Sequence, residues 1–418
     1  MPASPEINRA IETVWRIEST RLIAGLARFT KGDLGQAEDL AQEALVAALE
    51  VWPESGIPDN PGAWLTATAK NRAIDRIRRE QNLQEKYQEV GRATERQEQS
   101  VEDEVDAALD DDILSLIFTT CHPLLSEEAR TALTLRLLGG LSTAEIARAY
   151  LIPKTTVAQR IVRAKRTLAE AKVPFEMPSR VELQPRLSSV LRVIYLIFNG
   201  GYSATSGDDW MKPELCNEAM RLGRILATLL PEEAEVHGLI ALLEIQASRF
   251  PSRTAADGSP VLLLDQDRGK WDHLLVNRGL ASLDRAGVLR IPFGYYTLQA
   301  AIAACHARAR TADATDWKRI AALYDALAQL TGSPVVELNR AMAVAMAYGP
   351  EEGLELVDHL IEGNQLEEYH LLPAVRGDLL QRLSRYDEAR VQFESAAALT
   401  SNRVERAVLL ARAGECSS

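Results

Sequence analysis

No apolar run in the chain approaches the roughly 18 residues that span a bilayer. The first twenty residues, MPASPEINRAIETVWRIEST, lack a charged start followed by an apolar stretch, the pattern of a signal peptide. These absences lead us to expect a cytoplasmic protein with no membrane partner. Cysteine is scarce: Cys121, Cys216, Cys305 and Cys416 stand far apart, as reduced thiols do in such a compartment. Cys121-His122 and Cys305-His306 are the only Cys-His neighbours, and adjacent residues of a helix point about 100° apart. With no second cluster at ligand spacing, neither metal nor cofactor is expected. No Walker loop and no G-x-G-x-x-G occurs. Asp110-Asp111-Asp112 and Asp208-Asp209 read as linker and loop charge rather than a catalytic pair, so no catalytic residue and no enzyme activity is expected. Excess positive charge is missing too: 47 Lys and Arg against 59 Asp and Glu leave a net charge of -12. A protein that held nucleic acid by bulk electrostatics would be basic. Any DNA binding here therefore needs local basic faces and a partner that supplies affinity.

Such a face lies between Leu141 and Leu168, LSTAEIARAYLIPKTTVAQRIVRAKRTL. Ser142 and Glu145 form a capping box that predicts a helix from Thr143 to about Tyr150. A break at Leu151–Lys154 contains Pro153, and a second helix follows from about Thr155 to Ala171. This is the spacing of a helix-turn-helix. Val157, Ile161, Ala164 and Leu168 recur at helical spacing and should face the core. Thr155, Thr156, Gln159, Arg160, Arg163, Lys165 and Arg166 are the candidate DNA-binding residues, with no acid between Glu145 and Glu170. Arginines can meet phosphates, while Thr156, Gln159 and Arg160 near the helix start can reach base edges.

Upstream, three helices are expected between Asn8 and Glu80. The second, roughly Gly35 to Val51, carries Ala37, Leu40, Ala41, Ala44, Leu45, Ala48 and Leu49 on a packed side. Its outer side holds Asp39, Gln42, Glu43, Val46 and Glu50, an acidic and apolar face suited to another protein's basic helix. After the loop Pro53–Pro61 comes a third helix, Gly62 to about Arg79, with Leu65, Ala69, Ala73 and Ile77 as a core stripe. Lys70, Arg72, Arg76, Arg78 and Arg79 crowd its C-terminal half, with Asp75 placed to pair with Arg79. Trp64 and Asn71 add stacking and hydrogen-bonding groups, a mixture that fits single strands as well as duplex.

DLAQEALVAALEVWP and PGAWLTATAKNRAIDRIRRE resemble region 2 of bacterial sigma factors of the extracytoplasmic-function type. PLLSEEARTALTLRLLGGLSTAEIARAYLIPKTTVAQRIVRAKRTL resembles their region 4. The resemblance covers roughly residues 8 to 175 and implies roles residue by residue. The helix matching Asp39 to Trp52, with Asp39, Gln42, Glu43, Val46, Glu50 and Trp52, would dock on the β′ clamp helices of core RNA polymerase. The loop matching Pro53 to Pro61 would take up a flipped base of the -10 element, and Trp64 to Arg79 would contact the melted strand. The helix from Thr155 to Arg166 would enter the major groove at the -35 element, with region 4 meeting the β flap. Ala158 stands where relatives often carry a basic or polar residue, so no -35 sequence preference transfers.

Residues 81 to 112 form a polar, acidic linker. Its 32 residues can extend roughly 100 Å. A promoter spacer of about 17 base pairs measures near 58 Å. The remainder, residues 179 to 418, is rich in alanine and leucine and reads as helical. His370 to Asn402 reads as a tetratricopeptide-like repeat, with Gly377 at a small position, then Ala389, Phe393 and Ala396. Ala341 and Gly353 precede Gly377 and Ala389 by 36 residues each. Trp317 to Pro334 suits a helix of an earlier repeat, whereas Asn199–Ser203 and Phe250–Trp271 read as loops. The arrangement resembles a subgroup of these sigma factors with a C-terminal helical, tetratricopeptide-like extension, which implies that the extension governs activity. Stacked repeats of this kind present a concave face to a peptide or protein partner. The expected fold is all-α throughout. Two rivals keep the same residues: a stand-alone helix-turn-helix regulator with a sensing solenoid, and a solenoid adaptor whose N-terminal helices no longer touch DNA.

Overall fold

The computed structural model describes residues 5–87, 105–150, 152–202, 212–255, 261–400 and 403–416, and it is all-α, with no strand among them. The chain divides into two compact units, 1–196 and 197–418, the division falling inside one helix.

In the first unit α1 (Pro5–Phe29), α2 (Leu34–Ser55) and α3 (Pro61–Tyr87) pack together. The turn between α1 and α2 needs positive φ at Lys31 and Gly32, and Asp33 then caps α2 by accepting from the Gln36 N–H at 2.9 Å. Asn60 caps α3 in the same way, accepting from Ala63 N–H at 3.0 Å. Ala37, Ala41, Ala44, Ala48 and Trp52 make one buried ridge along α2. Leu49, expected on that packed side, is 41% exposed. It lies about 100° round the helix from Ala48, so it cannot share the ridge.

α4 (Val105–Thr120) packs on α1 and begins within the stretch expected to be linker; Asp112 is buried there, 3.4 Å from Arg28. Residues 88–104 of that linker lie outside the described residues. α5 (Glu127–Leu137) and α6 (Thr143–Tyr150) lead to α7 (Lys154–Glu170), and Leu151 of the turn lies outside the described residues. The capping box forms as expected: Ser142 N–H donates to Glu145 at 2.8 Å and Glu145 N–H to Ser142 Oγ at 3.2 Å. Val157, Ile161, Ala164 and Leu168 are all buried. α8 (Arg180–Tyr202) is stitched to this unit by its first half: Arg186 donates to the Phe118 carbonyl at 2.9 Å, and Ser189 Oγ to that of Cys121 at 2.6 Å. Asn199 to Tyr202, expected as a loop, complete this helix; Ser203 lies outside the described residues.

The second unit is organised around α10 (Ala234–Ala247), which is buried over most of its circumference and lies against α9 (Pro213–Leu229), α11 (His273–Leu289) and α12 (Tyr295–Arg308). Gly238 permits the closest approach, since a Cβ there would sit 2.3 Å from Thr297 Oγ1. The one acid buried on α10, Glu244, is matched by Arg224 at 2.8 Å and Arg278 at 3.5 Å. The described residues between Phe250 and Trp271 are irregular apart from two short 3-10 turns, and residues 256–260 lie outside the description. Six helices follow, each packed on the next: α13 (Trp317–Thr331), α14 (Pro334–Tyr348), α15 (Pro350–Glu362), α16 (Leu371–Arg382), α17 (Tyr386–Leu399) and α18 (Arg403–Glu415). Gly377 of α16 faces Phe393 of α17, and a Cβ would meet that ring at 2.9 Å. Gly353 of α15 faces α14, where a Cβ would sit 2.5 Å from Ala345 Cβ.

Candidate polymerase and nucleic-acid interface

Three surfaces of the first unit carry the residues singled out in the sequence. On α2, Asp39, Val46 and Glu50 are exposed, while Gln42 and Glu43 are half-buried. Leu49 and Val51 join them, so this end of α2 shows three exposed apolar side chains among acids. Trp52 does not belong to that face. It is 1% exposed and packs edge-to-face on Trp64 with centroids 5.3 Å apart. The helix runs on through Pro53 to Ser55, which keeps Trp52 on the i, i+4 ridge below Ala48.

On α3, Leu65, Ala69 and Ala73 are buried, and this turns Lys70, Asn71 and Asp75 to solvent. Trp64 is half-buried by its contact with Trp52. Arg72 reaches back to Glu43 of α2 at 3.6 Å, a pair still reached by solvent and so of small energetic worth. The side chains of Arg76, Ile77, Arg78 and Arg79 lie outside the described residues, as does the expected Asp75–Arg79 pairing.

On α7 the buried stripe forces Thr155, Gln159, Arg163 and Arg166 outward, and Val162 joins them at 65% exposure. Thr156 is half-buried. Arg166 pairs with Glu170 at 2.6 Å. Arg160 is half-buried and lines a cavity of about 190 Å³ with Glu127, Glu128 and Tyr150. Lys165 is turned away from solvent: its ammonium bonds to Glu38 of α2, whose other oxygen accepts from Arg136 Nε at 2.6 Å. Burial alone would raise the Glu38 carboxyl, but Lys165 and Arg136 outweigh it and hold it below the usual carboxylate value. Thr20 of α1 adds a bond to the Leu138 carbonyl at 2.8 Å, and Phe175 packs over Gly32. The region of the helix-turn-helix is thus docked on α1 and α2. Glu38 was not among the sequence candidates. Its partners lie far off in the sequence, at Arg136 and Lys165.

Residues 17–83 match sigma-70 region 2, residues 115–168 match sigma-70 region 4, and residues 186–287 match a family of unknown function, DUF6596. An uncharacterized protein of Rhizobium meliloti (strain 1021) is 44% identical over 379 residues, covering 90% of this chain and 89% of that protein. The chain belongs to the same family as that protein. Its sigma-70 regions support an extracytoplasmic-function-type sigma factor with a role in promoter recognition, and hence binding to core RNA polymerase and promoter DNA. No solved structure matches. In region 4, Cys121 is buried against Thr134 Oγ1 at 3.4 Å, and burial pushes its thiol up. Among the described residues no group of three or more His, Cys, Asp or Glu is placed to hold a metal ion. No helix among them is long and apolar enough to cross a membrane.

Proposed function

We propose that this chain is an alternative sigma factor that carries core RNA polymerase to promoters with paired -10 and -35 elements, in the cytoplasm, under control of its C-terminal helices. The observation that carries this reading is α7. Its buried stripe is complete, and Thr155, Gln159 and Arg163 are left exposed on the second helix of a helix-turn-helix. A side chain such as Arg163 reads a guanine edge or holds a phosphate. Neither basic face outweighs a net charge of -12, so polymerase supplies the missing affinity.

In this reading the exposed end of α2, with Asp39, Val46, Leu49 and Glu50, docks on the β′ clamp helices. Lys70 and Asn71 of α3 face the melted -10 strand, and the loop after Gly56 receives a flipped base. Region 4 meets the β flap and sets α7 in the -35 groove. Two elements about 58 Å apart cannot be spanned while α7 touches α2, so promoter engagement requires region 4 to leave region 2. The packing of Gly377 on Phe393 and of Gly353 on α14 supports a tetratricopeptide-like solenoid with a peptide or protein partner.

Co-elution with purified core polymerase tests the docking face. Wild type should co-elute, and the Val46→Glu, Leu49→Glu double variant should not, with its helical circular dichroism unchanged. Undiminished co-elution of a folded double variant removes α2 as the docking surface.

A further inference from the structure

We propose that the second unit holds a buried anion-binding site at Arg249, Arg268, Trp271 and His306, which takes a small ligand through a phosphate or carboxylate group.

Arg268 is 8% exposed. Its side chain donates three bonds among the described residues, all to neutral acceptors: the carbonyls of His306 at 2.8 Å and Ala309 at 2.9 Å, and Thr315 Oγ1 at 3.0 Å. Its Nε–H has no acceptor. Arg249 likewise meets only amide oxygens, Gln266 Oε1 at 3.1 Å and Gln246 Oε1 at 2.9 Å. Both guanidinium groups lie over one indole, that of Trp271, at 5.8 and 5.5 Å from its centroid. Trp271 is 4% exposed, and its Nε1–H is also without an acceptor. His306, 9% exposed, has no partner at Nδ1. Burial first, and then the repulsion of Arg249 and Arg268, push this imidazole down to about 4, so it is neutral at pH 7.

The half-buried Arg249 and the buried Arg268 thus share one indole, beside three buried nitrogens without a partner, Arg268 Nε, Trp271 Nε1 and His306 Nδ1, and no carboxylate pairs with either arginine among the described residues. Elsewhere in the same unit the buried charge of Glu244 is matched twice over. A charge held out of water without a counter-charge is strongly destabilising, and each buried donor without an acceptor adds a smaller penalty. What the cluster lacks among the described residues is a negatively charged acceptor, and an oxyanion supplies both the charge and the lone pairs.

The test titrates the full chain with sodium phosphate and, separately, sodium acetate, against sodium chloride at matched ionic strength, following Tm and tryptophan fluorescence. At a hundredfold excess over Kd, one probe or both should raise Tm by roughly 5–10 °C and saturate. A response to phosphate alone assigns a phosphate ligand, and one to acetate alone a carboxylate. The rise should be lost in Arg268→Gln. Arg249→Gln, which breaks two bonds to amide oxygens only, is the second variant should the first not fold. No saturable rise with either probe, or the same rise in a folded variant as in wild type, overturns the site.

Discussion

Lys165 on α7 and Glu38 on α2 are bonded to each other across 127 positions of sequence, in the two regions that the proposed function sends to different promoter elements. The carboxylate is 8% exposed and the lysine side chain 18%. Arg136 completes a three-membered charge cluster. The residue expected to approach DNA thus helps hold the helix-turn-helix onto region 2 in the free chain.

A double-mutant cycle on Glu38→Gln and Lys165→Met, read by chemical denaturation at pH 7, should return a coupling of about 1–3 kcal/mol. A coupling near zero would mean that the pair does not fasten the two regions. Because the Glu38 pKa is lowered on folding, its contribution is present above the ordinary value of 4.5 and disappears as pH falls through the lowered one. The coupling should accordingly be intact at pH 6 and shrink in strong acid.

Gly377→Ala sets helix propensity against packing. Alanine gains about 1 kcal/mol over glycine in a helix interior. Its methyl would sit 2.9 Å from the Phe393 ring, and overpacking costs about 1–3 kcal/mol. Phe393 is fully buried and cannot swing clear, so Tm should fall. A rise in Tm would show that α16 and α17 are loosely apposed.

His306 titrates at about 4 in the fold against 6.5 when free. Protons therefore bind the unfolded chain first, and stability is lost as pH falls from 6.5 towards 4, by about 3 kcal/mol in all. In anion-free buffer, His306→Asn should remove that share: the wild-type-minus-variant difference should shrink by about 2 kcal/mol between pH 7 and pH 5. A pH-independent difference would mean the ring is not held neutral.

Local features were the most legible. The capping box of Ser142 and Glu145 needs only three residues' separation, and the stripe from Val157 to Leu168 only helical periodicity; both stand where the spacing puts them. Trp52 was placed on the docking face by the resemblance alone, whereas its side chain is buried. Carried through Pro53, the Ala44, Ala48, Trp52 spacing would have put the indole in the core. Glu38 was beyond reach, since its partners Arg136 and Lys165 lie 98 and 127 residues away and only tertiary packing brings them to one carboxylate. The arginines around Trp271 were equally hidden, being drawn from an irregular stretch and from α12 contacts that no period announces.

Run-off transcription with purified core polymerase on a promoter library tests the central claim most directly. Specific transcripts should depend on adding the chain, and Arg163→Ala should lower them about tenfold or more while leaving polymerase binding intact. A wild-type chain that neither binds core polymerase nor yields any specific transcript would contradict a sigma-factor role.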